Sequence, residues 1–143
     1  MGDDQAAVAE PGGVDIEGLA EVVLNVHDMA QSLAFYRDVL GLAIVSPPEM
    51  TNPVFLRAGA ATSALPALLV LVQLPADAAP FTRPRPLHHL ALAITATGFD
   101  AAIAILAARG LTTRTGRHPI LPSRTLYVDD PDGNEVELIA PIA

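Results

Sequence analysis

The stretch RTLYVDDPDGNEVELIAP, residues 124–141, decides the fold. Two apolar runs flank an acidic Gly turn, the pattern of two antiparallel strands joined by a tight loop. Asp130-Pro131 opens the turn, and Gly133 supplies a position with φ > 0. Strand side chains alternate between faces, so Val136 and Leu138 share one side, packed under a helix, while Glu137 and Ile139 share the other. A carboxylate among apolar strand positions is costly unless something pairs with it. Glu137 therefore implies a partner that the rest of the chain must supply.

Working outward, the strand LHHLALAIT (87–95) precedes this hairpin and leads into GFDAAIAILAARGL, apolar at Phe99, Ile103, Leu106 and Ala107 and closed by Gly110. The same unit stands earlier in the chain. GLAEVVLNVHD (18–28) reads as a buried strand, and MAQSLAFYRDVLGL follows with apolar residues near helical spacing, core-facing Phe35 and Tyr36, and Gly41 as C-cap. AIVSPPE, NPVFLRAG and LLVLVQLP complete the first half as TTRTGRHP, RTLYVDD and VELIAP complete the second. Each half thus reads strand, helix, then three strands. Residues 1–17 are expected to form a disordered tail and 18–143 a single domain, with modules at about 18–75 and 87–143 and a Pro-rich linker at 76–86. Within the linker, Arg83 and Arg85 are expected to be solvated, and His27 beside Asp28 is expected to act as a local cap or surface group.

Composition restricts the chemistry. The chain has 143 residues, 51% hydrophobic and 17% charged, with no apolar run long enough to span a membrane. The acidic start MGDDQAAVAEPGG lacks the features of a secretory signal, so a cytoplasmic protein is expected. No Cys is present, which excludes thiolate nucleophiles and ligands, and no Lys, which excludes Schiff-base chemistry and a P-loop lysine. The net charge of −8 without a basic cluster argues against nucleic acid as a partner. Small molecules are the expected ligands.

Two βαβββ halves of this length, with SLAFYRDVLGL in the first and YVDDPDGNEVEL in the second, resemble the vicinal oxygen chelate superfamily, which includes glyoxalase I, extradiol dioxygenases and bleomycin-binding proteins. The resemblance implies an α+β fold in which eight strands form a curled sheet, a cup with helices outside and a metal inside. It also implies ligand positions in the first and last strands of each half. By register these fall at Glu21, His89 and Glu137, while counting back from Pro75 as from Pro141 places the fourth at Leu71, which cannot ligate. His88, adjacent to His89, should point the opposite way. One His and two carboxylates favour Fe²⁺ or Mn²⁺, and no nucleotide cofactor is implied.

The run from Gly116-Arg117-His118 through Tyr127 to Glu137 is similar to the extradiol dioxygenase signature. That similarity implies His118 as the group stabilising bound oxygen or shuttling a proton, and Tyr127 as a hydrogen-bond partner of a catecholate. The implied activity is a divalent-metal enzyme acting on a small vicinal-oxygen substrate, most like a ring-cleaving dioxygenase. Cup-facing Val23, Asn25, Leu71, Gln73 and Ala91 are the expected substrate contacts, with Leu69 and Ile139 adding to an apolar lining. The competing readings are a metal-free drug-binding protein of the bleomycin-resistance type, and a metal-free isomerase or lyase using Glu21 or Glu137 as base. A homodimer is the assembly usual in the superfamily.

Overall fold

The computed structural model describes residues 13–60 and 65–142. Residues 1–12, most of the expected tail, lie outside the described residues; 13–20 are exposed and form no helix or strand. β1 (Glu21–Val26) leads into α1 (Met29–Leu33), whose N-cap is Asp28: its side chain accepts from Gln31 N–H at 3.0 Å. The helix continues as a π-helical segment, Ala34–Val39. Within this widened segment Phe35 and Tyr36 are both buried in the core, their rings edge-on to each other. Gly41, at φ +83°, ends the helix in the expected left-handed cap. β2 (Ala43–Ile44), β3 (Val54–Arg57) and β4 (Leu68–Gln73) complete the first module.

The second module repeats the order with β5 (Leu90–Ala93), α2 (Phe99–Ala108), β6 (Arg114–Gly116), β7 (Ser123–Asp129) and β8 (Glu135–Pro141). Two four-stranded sheets result, ordered β1-β4-β3-β2 and β5-β8-β7-β6, with the first and last strand of each module parallel. The eight strands do not form one continuous sheet. Each sheet buries its helix-facing side in a shared core containing Leu24, Val26, Leu69 and Leu71 from one and Leu126, Val128, Val136 and Leu138 from the other. A polar bond crosses between the modules inside it. Tyr36, fully buried, donates its hydroxyl to Asp130 Oδ2 at 2.6 Å, and burial, then the Asp130 charge, hold that phenol protonated well above its ordinary range. Asp130 in turn accepts from the backbone N–H groups of Asp132 and Asn134 and from the Asn134 amide, so the DPDGN turn is built around a buried, fully occupied carboxylate.

Of the two linker arginines expected to be solvated, Arg83 is exposed and Arg85 half-buried, and both are bonded to the DPDGN turn. Arg85 donates to Asp132 O at 2.6 Å and Asn134 Oδ1 at 3.0 Å and lies 5.1 Å above the Phe81 ring, while Arg83 donates to Gly133 O at 3.0 Å. The turn leaves backbone carbonyls unpaired, and the guanidinium forks satisfy them. His27 is likewise more than a surface group. Its Nδ1 meets Asp132 Oδ1 at 2.8 Å, its Nε2 meets Ala79 O at 3.0 Å, and its ring packs edge-on to Phe81. The end of β1, the linker and the DPDG turn are thereby tied together. No described helix is long and apolar enough to cross a membrane.

Candidate metal and substrate face

The last strand alternates as its sequence requires. Val136, Leu138 and Ala140 enter the core, and Glu137 lies on the opposite face, only 2% exposed. Its cross-strand neighbours are Ala91 on β5 and Tyr127 on β7. His89, just before β5, places Nε2 3.1 Å from Glu137 Oε1. The other carboxylate oxygen, Oε2, is buried without a hydrogen-bond partner, and so is the hydroxyl of Thr125, which shares this face of β7 with Tyr127. Two unsatisfied buried polar atoms on one small patch of sheet carry a desolvation cost that a bound ligand could offset.

Around this pair the strands bring further polar groups. The Tyr127 ring stands edge-on to His89, 6.0 Å between centroids, and lies across Gly116 of β6, where any Cβ would collide with it. Glu135 shares the face of Glu137 two residues earlier. Its Oε2 accepts from Arg114 Nη2 at 2.9 Å, and the same nitrogen reaches Asp129 Oδ1 at 3.0 Å. His88 Nδ1 lies 2.8 Å from His89 Nδ1. Among the described residues, one group of three metal-capable side chains has its donor atoms all within 4.8 Å of one another: His88, His89 and Glu135. His88, Glu135, Arg114, Asp129 and the linker arginines line an open groove of about 720 Å³. A more apolar cavity of about 440 Å³, between Leu40, Leu42 and α2, has no titratable side chain in its lining.

The residues expected from sequence fall into three sets. His89, Glu137, Tyr127 and Ala91 are brought together. Glu21 is exposed on β1 of the other sheet, its side chain makes no hydrogen bond or ion pair among the described residues, and it belongs to no such three-residue group; Val23, 51% exposed, and Asn25 share its face. His118 uses Nδ1 to accept the backbone N–H groups of Ile120 and Leu121 at 3.2 and 3.0 Å, bracing its own loop. Leu69, Leu71 and Gln73 require correction. Pairing of β1 with β4 sets Leu71 beside Leu24 in the core, and Gln73 turns the same way to accept from Met29 N–H at the start of α1. The residue matching Glu137 is Val70, paired with Val23 as Glu137 is with Ala91. The two prolines used as anchors are not equivalent, because Pro141 is the last residue of β8 whereas Pro75 lies beyond the end of β4.

His88 was expected to point away from His89. Regular alternation begins only at Leu90, so the two imidazoles, preceding the strand, are free to turn toward each other. Glu135 and Arg114 were not anticipated as part of the site. Glu135 was accessible from the alternation that places Glu137; Arg114 depends on the β6–β7 register, for which the sequence carries no local signal.

The sequence profile of the Glyoxalase/Bleomycin resistance protein/Dioxygenase superfamily matches residues 18–138. The structure is similar to that of a glyoxalase/dioxygenase from Nostoc punctiforme, with 23% identity, a TM-score of 0.71, and 98% of this chain and 100% of that one covered. It is also similar to a lactoylglutathione lyase from Agrobacterium tumefaciens, with 25% identity, a TM-score of 0.61, and coverage of 87% and 94%. A search of curated protein sequences returns no significant match. The repeated βαβββ architecture and the profile match over most of the chain agree: this protein belongs to the glyoxalase/bleomycin resistance/dioxygenase superfamily.

Proposed function

We propose that the protein is a divalent-metal-dependent enzyme acting on a small molecule with vicinal oxygens, on the face of the second sheet that carries His89 and Glu137. The observation that carries this reading is Glu137: a carboxylate 2% exposed, with one oxygen on an imidazole and the other unpartnered. A buried carboxylate of this kind is expensive unless it serves a ligand or orients one. Adjacent nitrogen and oxygen donors beside an unsatisfied oxygen fit a cation such as Fe²⁺ or Mn²⁺. When bound, the cation supplies Lewis acidity to the substrate oxygens and, as Fe²⁺ with a catechol, ring cleavage uses O₂ as co-substrate with both atoms entering the product.

The chain's own groups do the rest. Tyr127, fixed across Gly116 and edge-on to His89, can donate its hydroxyl to a substrate oxygen at this face. His118 accepts through Nδ1, so its proton sits on Nε2, where it can be given to an oxygen. His89 is the central donor of this face, where Glu137 and Glu21 would join it, the latter brought by a second copy whose first sheet covers this face. Val23 and Ala91 are exposed, as such a homodimer would use them. Because the same exposed apolar positions also suit a planar ligand, metal-free drug binding of the bleomycin-resistance type is the second reading.

The test is oxygen uptake with a panel of catechols after anaerobic reconstitution with Fe²⁺ or Mn²⁺. Turnover that disappears on chelation and returns with metal supports the enzyme. Inactivity with every metal, alongside tight binding of a planar drug by the metal-free protein, supports the binder instead.

A further inference from the structure

We propose that the cation is held within a single chain by His88, His89 and Glu135, and that Glu137 is the carboxylate orienting His89 rather than a ligand. This rests on the metal-dependent reading above and changes which atoms do the holding. Glu137 Oε1 accepts from His89 Nε2–H at 3.1 Å, so the neutral imidazole offers its lone pair at Nδ1. Nδ1 is the atom that faces His88 Nδ1 at 2.8 Å. A buried carboxylate bonded to one ring nitrogen while the other meets a metal is the arrangement that fixes tautomer and ring orientation in histidine-ligated sites. Glu137 has the burial for that role, and its β8 position aims it at His89.

The remaining donors are in place. Donor atoms of His88, His89 and Glu135 already lie within 4.8 Å of one another, and ligands bound at about 2.0–2.2 Å from a common centre need only a modest convergence from there. The hydrogen bond from Arg114 to Glu135 Oε2 supports that carboxylate from outside and leaves its other oxygen available. The groove of about 720 Å³ beside His88 and Glu135 gives the cation and its substrate a way in. Two imidazoles and one carboxylate select borderline cations such as Fe²⁺, Co²⁺ or Zn²⁺ over Mg²⁺ and Ca²⁺, and leave coordination positions open. The set built on Glu21, by contrast, needs a residue from the other sheet.

The experiment titrates Co²⁺ alone into the full chain, free of any affinity tag, under anaerobic conditions, following visible d–d absorption and the number of ions bound per chain. One ion per chain is expected. His88→Ala and Glu135→Gln should each weaken binding by more than the about 10–100-fold that loss of an outer carboxylate costs, and should change the spectrum. Glu137→Gln should weaken binding about 10–100-fold while preserving the spectrum, because the ligands themselves remain. Circular dichroism of each variant confirms that it is folded. Binding that survives His88→Ala and Glu135→Gln but is lost with Glu21→Gln and Glu137→Gln overturns this donor set and leaves the metalloenzyme standing. No Co²⁺ binding by the unaltered chain overturns both.

Discussion

Val70 and Glu137 occupy the same station in two copies of one module, and they differ in the partners they find there. Each is on the middle of its sheet, each is 2% exposed, and each pairs with the same position of the module's first strand. Around Val70 the neighbours are Val23 and Phe55, and the first sheet's face is apolar there. Around Glu137 they are Ala91 and Tyr127, with His89 bonded to it. A repeated backbone thus carries a bonded polar pair in one copy and an apolar side chain in the other. The backbone of the sheet tolerates either residue; what decides is whether a partner stands next to it.

A carboxylate at the station of Val70 would be buried with no partner beside it. Val70→Glu should destabilise the protein by about 4 kcal/mol or prevent folding, since the new charge would be buried beside Val23 and Phe55, and urea denaturation measures it. The reciprocal change, Glu137→Val, should raise stability by about 1–2 kcal/mol while weakening metal binding by about 10–100-fold, the cost of losing an orienting carboxylate; an increase in midpoint with metal affinity unchanged would contradict that role. Removing the bond between modules by Tyr36→Phe leaves one oxygen of Asp130 short of a donor, and should cost about 1–2 kcal/mol with little effect on metal affinity. Gly116→Ala should displace the Tyr127 ring and impair turnover more than metal binding, read as a fall in kcat at unchanged Co²⁺ affinity.

The smallest effect concerns the clamp outside the site. His27 titrates above its model-peptide value of 6.5, chiefly because its ring bonds Asp132 and secondarily because of Ala79 O. A raised folded-state value means the contribution is complete below pH 6.5 and is lost as pH rises through the higher folded value. A slight fall in Tm from pH 6 to pH 9 that is absent in His27→Gln would show it.

Much of this was legible from residues alone. Alternation in VELIAP gave the face of Glu137, and the duplicated strand–helix–Gly pattern gave the module order. Reading failed where alternation had no strand to act on, as at His88, and where register was inferred from prolines that stand at different places relative to their strands, which misplaced Leu71 by one residue and so by a whole face. The linker arginines were misread because composition reveals a polar segment but not the unpaired carbonyls of a distant turn.

The most direct test of a cation centred on His89 is an anomalous difference map from crystals soaked in Co²⁺ or Zn²⁺. One peak within about 2.0–2.2 Å of His89 Nδ1, with His88 and Glu135 closing around it, is the expected result. No peak at this face, or a peak held by Glu137 with His88 and Glu135 turned away, would contradict it.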